Sequence, residues 1–289
     1  MEWHQIYYFQ TVARTQHITK AAKELSISQP ALSRAIHKLE IELGVKLFDR
    51  KGRNIFLNRY GKMFLNRVEQ AIKQIEIGKQ EIIDEIHPEH GTISLAFLPS
   101  LGISFVPDIL SNFRSRYPHI KFQLHQASNE EIFNQVKSGK VDLAFLTLLT
   151  TDEDIWWQPL LTEELFLIVS NTHPLANYDE VELAMIKGEP FITFREGYGL
   201  RTIIQNFCMK AGLSPDIVFE GEDIGTVSGL VSAGLGVSLV PDVKVIDKSK
   251  VKLIRVKNPL CTRDIGIARL KNSYLSPATK KFIDFVKGL

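Results

Sequence analysis

The chain has 289 residues, a hydrophobic share of 44%, a charged share of 24% and a formal net charge of +2. This size and balance are typical of a globular protein of two or three domains, and they exclude a disordered chain and a small disulfide-stapled scaffold. The two cysteines are far apart in sequence, no apolar run approaches the length of a membrane span, and the first residues do not resemble a secretion signal. We therefore expect a cytoplasmic protein with no membrane partner.

Positive charge is concentrated at the N-terminal end. Residues 1–67 contain 12 Lys and Arg against 5 Asp and Glu, whereas residues 68–289 contain 23 against 28. Such an asymmetry marks the N-terminal segment as a candidate for binding a polyanion, although a basic face can also be simply solvated.

Three short helices are predicted before residue 44. The first covers residues 4–14, the second 18–25, and the third begins after Ser28 and runs to about Leu43. Ser28 has a side chain suited to capping a helix, and Pro30 falls in the first turn, where a missing amide costs least. A short helix, a tight turn and a capped helix together predict a helix-turn-helix.

The third helix has two chemically different faces. One face carries apolar residues at helical spacing, which are Leu32, Ala35, Ile36, Leu39 and Leu43. The opposite face carries Gln29, Pro30, Ser33, Arg34 and His37. Because Gln and Arg can each pair bidentately with base edges, this pattern predicts a DNA-reading face. The alternative is the solvated side of an ordinary amphipathic helix.

A basic hairpin is predicted after the third helix. Two short apolar segments, 47–48 and 55–57, flank a turn that contains Gly52. Arg50, Lys51 and Arg53 place positive charge there, which suits contact with phosphates or a narrow minor groove. The predicted DNA-contacting set is completed by Thr19 and Lys38.

These segments resemble the LysR-type transcriptional regulators. The resemblance rests on Ala21-Ala22, Ser28 to Ser33, Leu39-Glu40, Leu43-Gly44, Leu47-Phe48, Arg50 and Leu57 to Gly61. Asn58 replaces the family's usual Thr, and Asn caps a helix equally well. The resemblance implies sequence-specific binding to double-stranded promoter DNA, homodimers or homotetramers, contact with RNA polymerase, and activation of a neighbouring operon.

A long helix is predicted to follow, because residues 58–86 contain no proline. Apolar residues recur there at steps of three and four, and they are Phe64, Val68, Ala71, Ile75 and Ile82. This seam predicts pairing with a second copy of the helix, and the alternative is packing on its own domain. Pairing is favoured because a dimeric helix-turn-helix reads two related half-sites.

Beyond residue 90 apolar strand candidates alternate with helical stretches, which predicts an α/β domain with mainly parallel sheets. The predicted strands are 92–98, 120–125, 141–147, 165–170, 191–195, 217–220, 236–241, 251–256 and 265–270. The resemblance implies a bilobed fold like that of periplasmic binding proteins. The predicted fold class is thus α plus α/β, with a winged helix-turn-helix at 1–58, a linker helix and hinge at 59–90, and an effector-binding domain at 91–289. Lobe 1 is expected at about 91–161 and 267–289, and lobe 2 at about 162–266.

Several predicted strand ends open into helices, where free amides favour an anion. We therefore predict that a small carboxylate binds between the lobes and alters the geometry of the oligomer on DNA. The predicted effector-binding residues are Ser100, Leu101, Ser128, Thr147, Arg195, Leu200, Arg201 and Glu222. Plain N-capping is the alternative for each serine. A constitutive oligomeric DNA binder without an effector is the alternative for the whole protein.

Segments 196–201, 220–223 and 229–237 most resemble the subgroup of the family that activates glutamate synthase genes in bacilli, which implies 2-oxoglutarate or glutamate as effector. Enzyme signatures are missing from the sequence. Gly234-Leu235-Gly236 precedes a strand and lacks the third glycine of a dinucleotide site, and there is no phosphate-binding loop or nucleophile elbow. We expect no catalysis, no metal and no cofactor.

Overall fold

The computed structural model describes residues 1–51, 54–87 and 89–288, and leaves the side chains of residues 50, 51 and 54 undescribed. The chain divides into two compact units, Met1–Ile83 and Asp84–Leu289. Within the described ranges, none of the helices combines the length and the apolar composition needed to cross a bilayer.

The N-terminal unit is a three-helix domain with a hairpin and the start of a long helix. Its elements are α1 (Trp3–Thr15), α2 (Ile18–Glu24), α3 (Gln29–Leu43), β1 (Phe48–Lys51), β2 (Asn54–Leu57) and α4 (Arg59–Ile86). The two strands pair antiparallel, with Phe48 opposite Leu57. The predicted helix-turn-helix and wing are therefore both present.

The start of α3 has the predicted chemistry. The hydroxyl of Ser28 accepts a hydrogen bond from the Ala31 amide at 3.3 Å, and Pro30 lies in the first turn. The helix ends at Gly44, whose φ of 70° lies in the left-handed region that glycine adopts without a steric penalty. Leu32 and Leu39 are fully buried, but Leu43 is 37% exposed, so the predicted apolar face is one turn too long.

Helix α4 divides the predicted apolar seam in two. Val68 is buried in the core of the N-terminal unit, and Phe64 packs against that core. Ile75 and Ile82 are 41% and 64% exposed. The first half of the seam therefore packs on its own domain, and the second half is free to pair with another helix.

The C-terminal unit alternates strands and helices. Its strands are β3 (Gly91–Phe97), β4 (Ile120–Gln126), β5 (Leu143–Leu146), β6 (Ile155–Ser170), β7 (Glu180–Glu182), β8 (Pro190–Phe194), β9 (Asp216–Gly221), β10 (Ser238–Pro241), β11 (Val251–Asn258) and β12 (Thr262–Leu270). Its helices of more than one turn are α5 (Phe105–Arg116), α6 (Asn129–Lys137), α7 (Gly199–Lys210), α8 (Ile224–Ser232) and α9 (Pro277–Lys287).

The sheets are mixed, so the prediction of mainly parallel sheets is wrong. Strand β3 pairs parallel with β4 and β5, and β8 pairs parallel with β9. Strand β6, however, pairs antiparallel with β10, β11 and β12, and β12 pairs antiparallel with β5. Periodicity in sequence does not reveal strand direction, which explains the error. The first half of β6 and all of β7 were also missed.

Two lobes are joined by the long strands β6 and β12. One buried core, which defines lobe 1, collects residues between 93 and 155 and between 265 and 286. The other, which defines lobe 2, collects residues between 165 and 261. Strand β6 begins in the lobe 1 core and ends in the lobe 2 core, and the chain returns from lobe 2 to lobe 1 as it enters β12. The two strands pair with each other and form the connection between the lobes. A cleft therefore opens beside these two strands.

Candidate functional site

The recognition arc, defined as Gln29, Pro30, Ser33, Arg34 and His37, lies on the outer face of α3. All of these residues are exposed except Ser33, which is half-buried. The Gln29 amide donates a hydrogen bond from Nε2 to the Ser33 hydroxyl at 3.0 Å. Arg34 makes no hydrogen bond to the described part of the chain, so its guanidinium is available to a partner.

Two further residues predicted to contact DNA flank the arc. Thr19 is exposed on α2. Lys38 Nζ lies 2.7 Å from Glu2 Oε1, and this hydrogen bond lowers the pKa of the Glu2 carboxyl and raises the pKa of the Lys38 ammonium. The charge of Lys38 is thus shared with an acid, unlike that of Arg34. Arg53 and the side chains of Arg50 and Lys51 lie outside the described residues.

The base of the wing is held by a buried acid that sequence reasoning missed. Glu40 is 8% exposed, and its Oε1 accepts a hydrogen bond from the Leu47 amide at 2.9 Å. Its Oε2 lies 3.0 Å from Lys46 Nζ. Asn58 Nδ2 donates to the Lys46 carbonyl at 2.8 Å. The position of Glu40 directly after Leu39, one turn beyond Ile36 on the apolar face, was the available signal.

A cavity of about 230 Å³ lies between the lobes of the C-terminal unit. Its polar lining consists of Ser100, Gln126, Tyr198, Glu222, Asp223 and Arg263. Ser100 follows the carboxyl end of β3, and Gln126 is the last residue of β4, both in lobe 1. Lobe 2 contributes Tyr198, Glu222 and Asp223. Apolar side chains such as Leu98 and Phe194 complete the wall. A small ligand with both polar and apolar surface fits such a site.

Arg263 is the buried cation of this cavity. Its side chain is 2% exposed, and Nη2 lies 2.6 Å from Glu163 Oε2 and 2.9 Å from the Ser100 hydroxyl. Nε also donates to Glu163 Oε2, at 2.7 Å. Burial lowers the pKa of Arg263, and the Glu163 charge opposes that effect. Nη1 donates to none of the described residues, so it is the donor of this guanidinium that remains for water or a ligand in the cavity.

The lobe 2 wall is acidic. Glu222 forms an ion pair with Arg195, and both side chains are exposed. Burial raises the pKa of the Tyr198 phenol, and the Glu222 charge adds to this. Asp223 caps α8, because its Oδ1 accepts the Thr226 amide at 2.8 Å. The hydrogen bonds from the Thr226 hydroxyl and from the helix amides lower the pKa of Asp223 and keep it ionised.

The structure brings some of the predicted effector residues to this cavity. Ser100, Leu200 and Glu222 line it. Arg195 does not line it and reaches it only through its ion pair with Glu222.

The other four predicted residues do not line the cavity, and three of them belong to lobe 1. Leu101 is buried in the lobe 1 core. Ser128 caps α6 by accepting the Glu131 amide at 3.3 Å. Thr147 is 6% exposed, and its amide donates to Asn129 Oδ1. Leu101 and Ser128 therefore have structural positions, whereas the Thr147 hydroxyl is buried without a hydrogen-bond partner among the described residues.

Arg201 faces away from the cavity. It follows Leu200 on α7, and successive helical residues point about 100° apart. Its Nη1 lies 3.0 Å from Glu220 Oε1, beside a separate cavity of about 160 Å³. The cation that faces the interlobe cavity is Arg263, which sequence reasoning missed. The alternation of Cys261, just before β12, with Arg263 and Ile265 on its buried face was the signal that could have identified it.

The two cysteines are buried in the lobe 2 core. Desolvation raises the pKa of Cys208 to about 11 and that of Cys261 to about 12. Both thiols are therefore protonated near neutral pH and are poor nucleophiles.

Comparison with known proteins agrees with this two-part arrangement. The description "LysR substrate binding domain" matches residues 87–289, and "Bacterial regulatory helix-turn-helix protein, lysR family" matches residues 3–62. The HTH-type transcriptional regulator YybE of Bacillus subtilis (strain 168) is 48% identical over 286 residues, covering 99% of this chain and 98% of that protein. The transcriptional dual regulator GltC of the same strain is 38% identical over 290 residues, covering 99% and 96%.

A solved structure resembles the C-terminal unit. The effector binding domain of QuiR in complex with shikimate is 33% identical, with a TM-score of 0.66, and covers 69% of this chain and 96% of that chain.

Proposed function

Since this chain belongs to the LysR family and is a DNA-binding transcriptional regulator with an effector-binding domain, we propose how its two sites act. The recognition arc enters a major groove of promoter DNA. A small carboxylate bound in the interlobe cavity changes the geometry of the oligomer that presents the arcs. Neither site carries out catalysis in this proposal.

The DNA-reading role is supported by the chemistry of the arc. Gln29 and Arg34 are exposed and carry the side chains that pair bidentately with adenine and guanine. The Ser28 cap and the fully buried Leu32 and Leu39 hold α3 in place behind them. A rigid helix that presents exposed polar groups outward is suited to base readout. Thr19, Lys38 and the basic wing residues Arg50, Lys51 and Arg53 are proposed to contact the phosphates.

The effector role is supported chiefly by Arg263. A guanidinium that is almost fully desolvated, with Nη1 unpaired, gains more from a carboxylate than an exposed one does, because water does not compete there. Ser100 lies within hydrogen-bond distance of the same guanidinium and adds a hydroxyl donor for the ligand. The QuiR domain binds shikimate, itself a carboxylic acid, which agrees with this assignment.

A response to the ligand requires unequal affinity for two arrangements of the protein. Ser100 and Arg263 lie on lobe 1 and β12, whereas Tyr198, Glu222 and Asp223 lie on lobe 2. A ligand that contacts both walls therefore favours one lobe orientation over the other. We propose that this orientation is passed to the homodimer or homotetramer, and through it to RNA polymerase at the promoter.

Thermal shift of the full chain against a panel of small organic acids, followed by footprinting on the DNA upstream of its own gene, tests this function. We expect an acid that stabilises the protein also to change its footprint. Ser100→Ala should lower the affinity for the acid by about tenfold, which corresponds to the loss of one charge-assisted hydrogen bond. The footprint without the acid should stay unchanged.

Ser115→Ala, which removes a serine hydroxyl from α5 outside the cavity, is the matched control and should behave like the parent. If no acid alters the footprint and Ser100→Ala matches the parent throughout, the chain is instead a constitutive oligomeric DNA binder.

A further inference from the structure

The charges around the interlobe cavity are unequal. Arg263 is the one cation among the described lining residues, whereas Glu222 and Asp223 both line the cavity as acids. Their ion-pair partners, Glu163 for Arg263 and Arg195 for Glu222, add one charge of each sign. Three carboxylates thus face two guanidiniums, and the site carries one net negative charge before any ligand enters.

The cationic end has room for one carboxylate. Nε and Nη2 of Arg263 are engaged by Glu163, and Nη2 is also engaged by the Ser100 hydroxyl. Only Nη1 remains without a partner in the described part of the chain. Since Nη1 and Ser100 are close together, a single carboxylate group can use both donors.

The N-termini of α7 and α8 also line the cavity, and each already has a carboxylate beside it. Glu222 lies next to Tyr198, the residue that caps α7, and Asp223 caps α8. Asp223 accepts the Thr226 amide at 2.8 Å and the Thr226 hydroxyl at 2.7 Å. Its own carboxylate therefore fills the position that a second ligand carboxylate would need. A second anion brought to this wall would be repelled by Asp223 and Glu222.

The same wall is rich in hydrogen-bond acceptors. Arg195 contacts Glu222 through Oε1, and the Tyr198 hydroxyl also hydrogen-bonds to this carboxylate. A carboxylate has about four lone-pair sites, so Glu222 can still accept from a ligand. The Tyr198 hydroxyl and the Gln126 amide also line the cavity and can each accept. Hydroxyl groups on a ligand would satisfy these acceptors without adding negative charge.

We propose that the effector is a compact organic acid with a single carboxylate and hydroxyl groups at its far end, and that the cavity rejects dicarboxylates. The proposal rests on the effector role argued above and replaces the expectation of 2-oxoglutarate or glutamate. The carboxylate binds Arg263 and Ser100, and the hydroxyls bind Glu222 and its neighbours on lobe 2.

Isothermal titration calorimetry of the full chain with four probes tests the proposal. Shikimate and quinate are hydroxylated ring monocarboxylates, cyclohexanecarboxylate has the ring and carboxylate without hydroxyls, and 2-oxoglutarate is a dicarboxylate. We expect at least one of the hydroxylated acids to bind at least tenfold more tightly than cyclohexanecarboxylate, because the bare ring displaces water from the lobe 2 acceptors without replacing its hydrogen bonds. We expect 2-oxoglutarate to bind more weakly still.

A charge-neutralising variant gives an independent readout. Glu222 is exposed, so Glu222→Gln should leave folding intact. This variant should have a lower affinity for the hydroxylated acid, because an acceptor is weakened. Its affinity for 2-oxoglutarate should rise by about tenfold, because one repelling charge is removed from a partly solvated wall. Glu220→Gln removes an acid that pairs with Arg201 outside the cavity, and it should change neither affinity.

The effector role of the cavity and its selection for a single carboxylate predict different results. Tight binding of 2-oxoglutarate to the parent, lost in Ser100→Ala, would overturn the charge selection while preserving the effector role. Failure of all four probes to bind would overturn both. Equal binding of the hydroxylated acids and cyclohexanecarboxylate would overturn the assignment of the lobe 2 acceptors.

Discussion

Arg34 and Arg263 carry the same side chain in opposite environments. Arg34 is exposed on α3 and makes no hydrogen bond to the described part of the chain. Arg263 is 4% exposed and is held by Glu163 and Ser100. An exposed arginine is free to meet a polyanion, whereas a buried one keeps a fixed direction and suits a small ligand. Burial, and not residue type, thus separates the proposed DNA contact from the proposed effector contact.

Arg34→Ala should weaken binding to the operator by about 1–3 kcal/mol, because a base-reading guanidinium is lost. Binding to random duplex DNA should change less, since that binding depends on phosphate contacts. Fluorescence anisotropy with labelled operator and random duplexes at one salt concentration measures both. Arg116→Ala on α5 removes an equal charge from the C-terminal unit and should leave both affinities near the parent's. Equal losses on the two duplexes would contradict base readout by Arg34.

The junction between the wing and α4 depends on the first turn of α4. Asn58 caps α4 by accepting the Gly61 amide at 3.0 Å and also donates to the Lys46 carbonyl. A Cβ at Gly61 would collide with the Leu47 carbonyl oxygen and lie 2.7 Å from a Leu57 methyl carbon. Glycine is required here for close approach of α4 to the end of the wing.

Gly61→Ala should lower the stability of the N-terminal unit by about 1–3 kcal/mol, the usual cost of forcing an atom into a packed contact. Gly78 lies in the same helix with nothing within 4 Å of a built Cβ. Gly78→Ala should therefore stabilise the protein by about 0.5–1 kcal/mol through helix propensity. Thermal and urea unfolding followed by circular dichroism compare the two variants. A tolerated Gly61→Ala would show that the wing junction is looser than described.

Assembly is the property that belongs to the whole molecule. Ile75 and Ile82 lie seven residues apart on α4 and are largely exposed, whereas Val68 is buried against its own domain. Apolar residues at that spacing on the solvent side of a long helix favour pairing with a second helix. The proposed dimer would bring two recognition arcs to one operator.

Ile75→Lys should shift the protein toward monomer, because a charge would be placed in the proposed helix pair, and should weaken operator binding in parallel. Sedimentation velocity over a range of protein concentrations measures the first effect. Gln74→Lys introduces the same charge on the adjacent, polar side of α4 and should leave the assembly unchanged. An unaltered oligomer in Ile75→Lys would place the contact between copies somewhere other than this stripe.

Local patterns in the sequence were sufficient to predict the helix-turn-helix, the Ser28 cap, the wing strands and the long helix, because each depends on neighbours within a few residues. The LysR family assignment rests on that same ordered block and is confirmed. Most strands beyond residue 90 were also predicted from apolar runs. The contacting residues named for DNA remain a prediction.

Tertiary structure alone decided which side chains share the cavity. Ser100 and Arg263 are separated by 163 residues, yet their side chains lie 2.9 Å apart because β3, which precedes Ser100, and β12, which carries Arg263, both pair with β5 in one sheet. Sequence spacing cannot report such a contact. The predicted set therefore includes Arg201, which points to the other side of α7, and omits Arg263. Strand direction and the split of the α4 seam also depend on packing between distant segments. A local pattern shows which face of an element is apolar, but only the folded chain shows what that face meets.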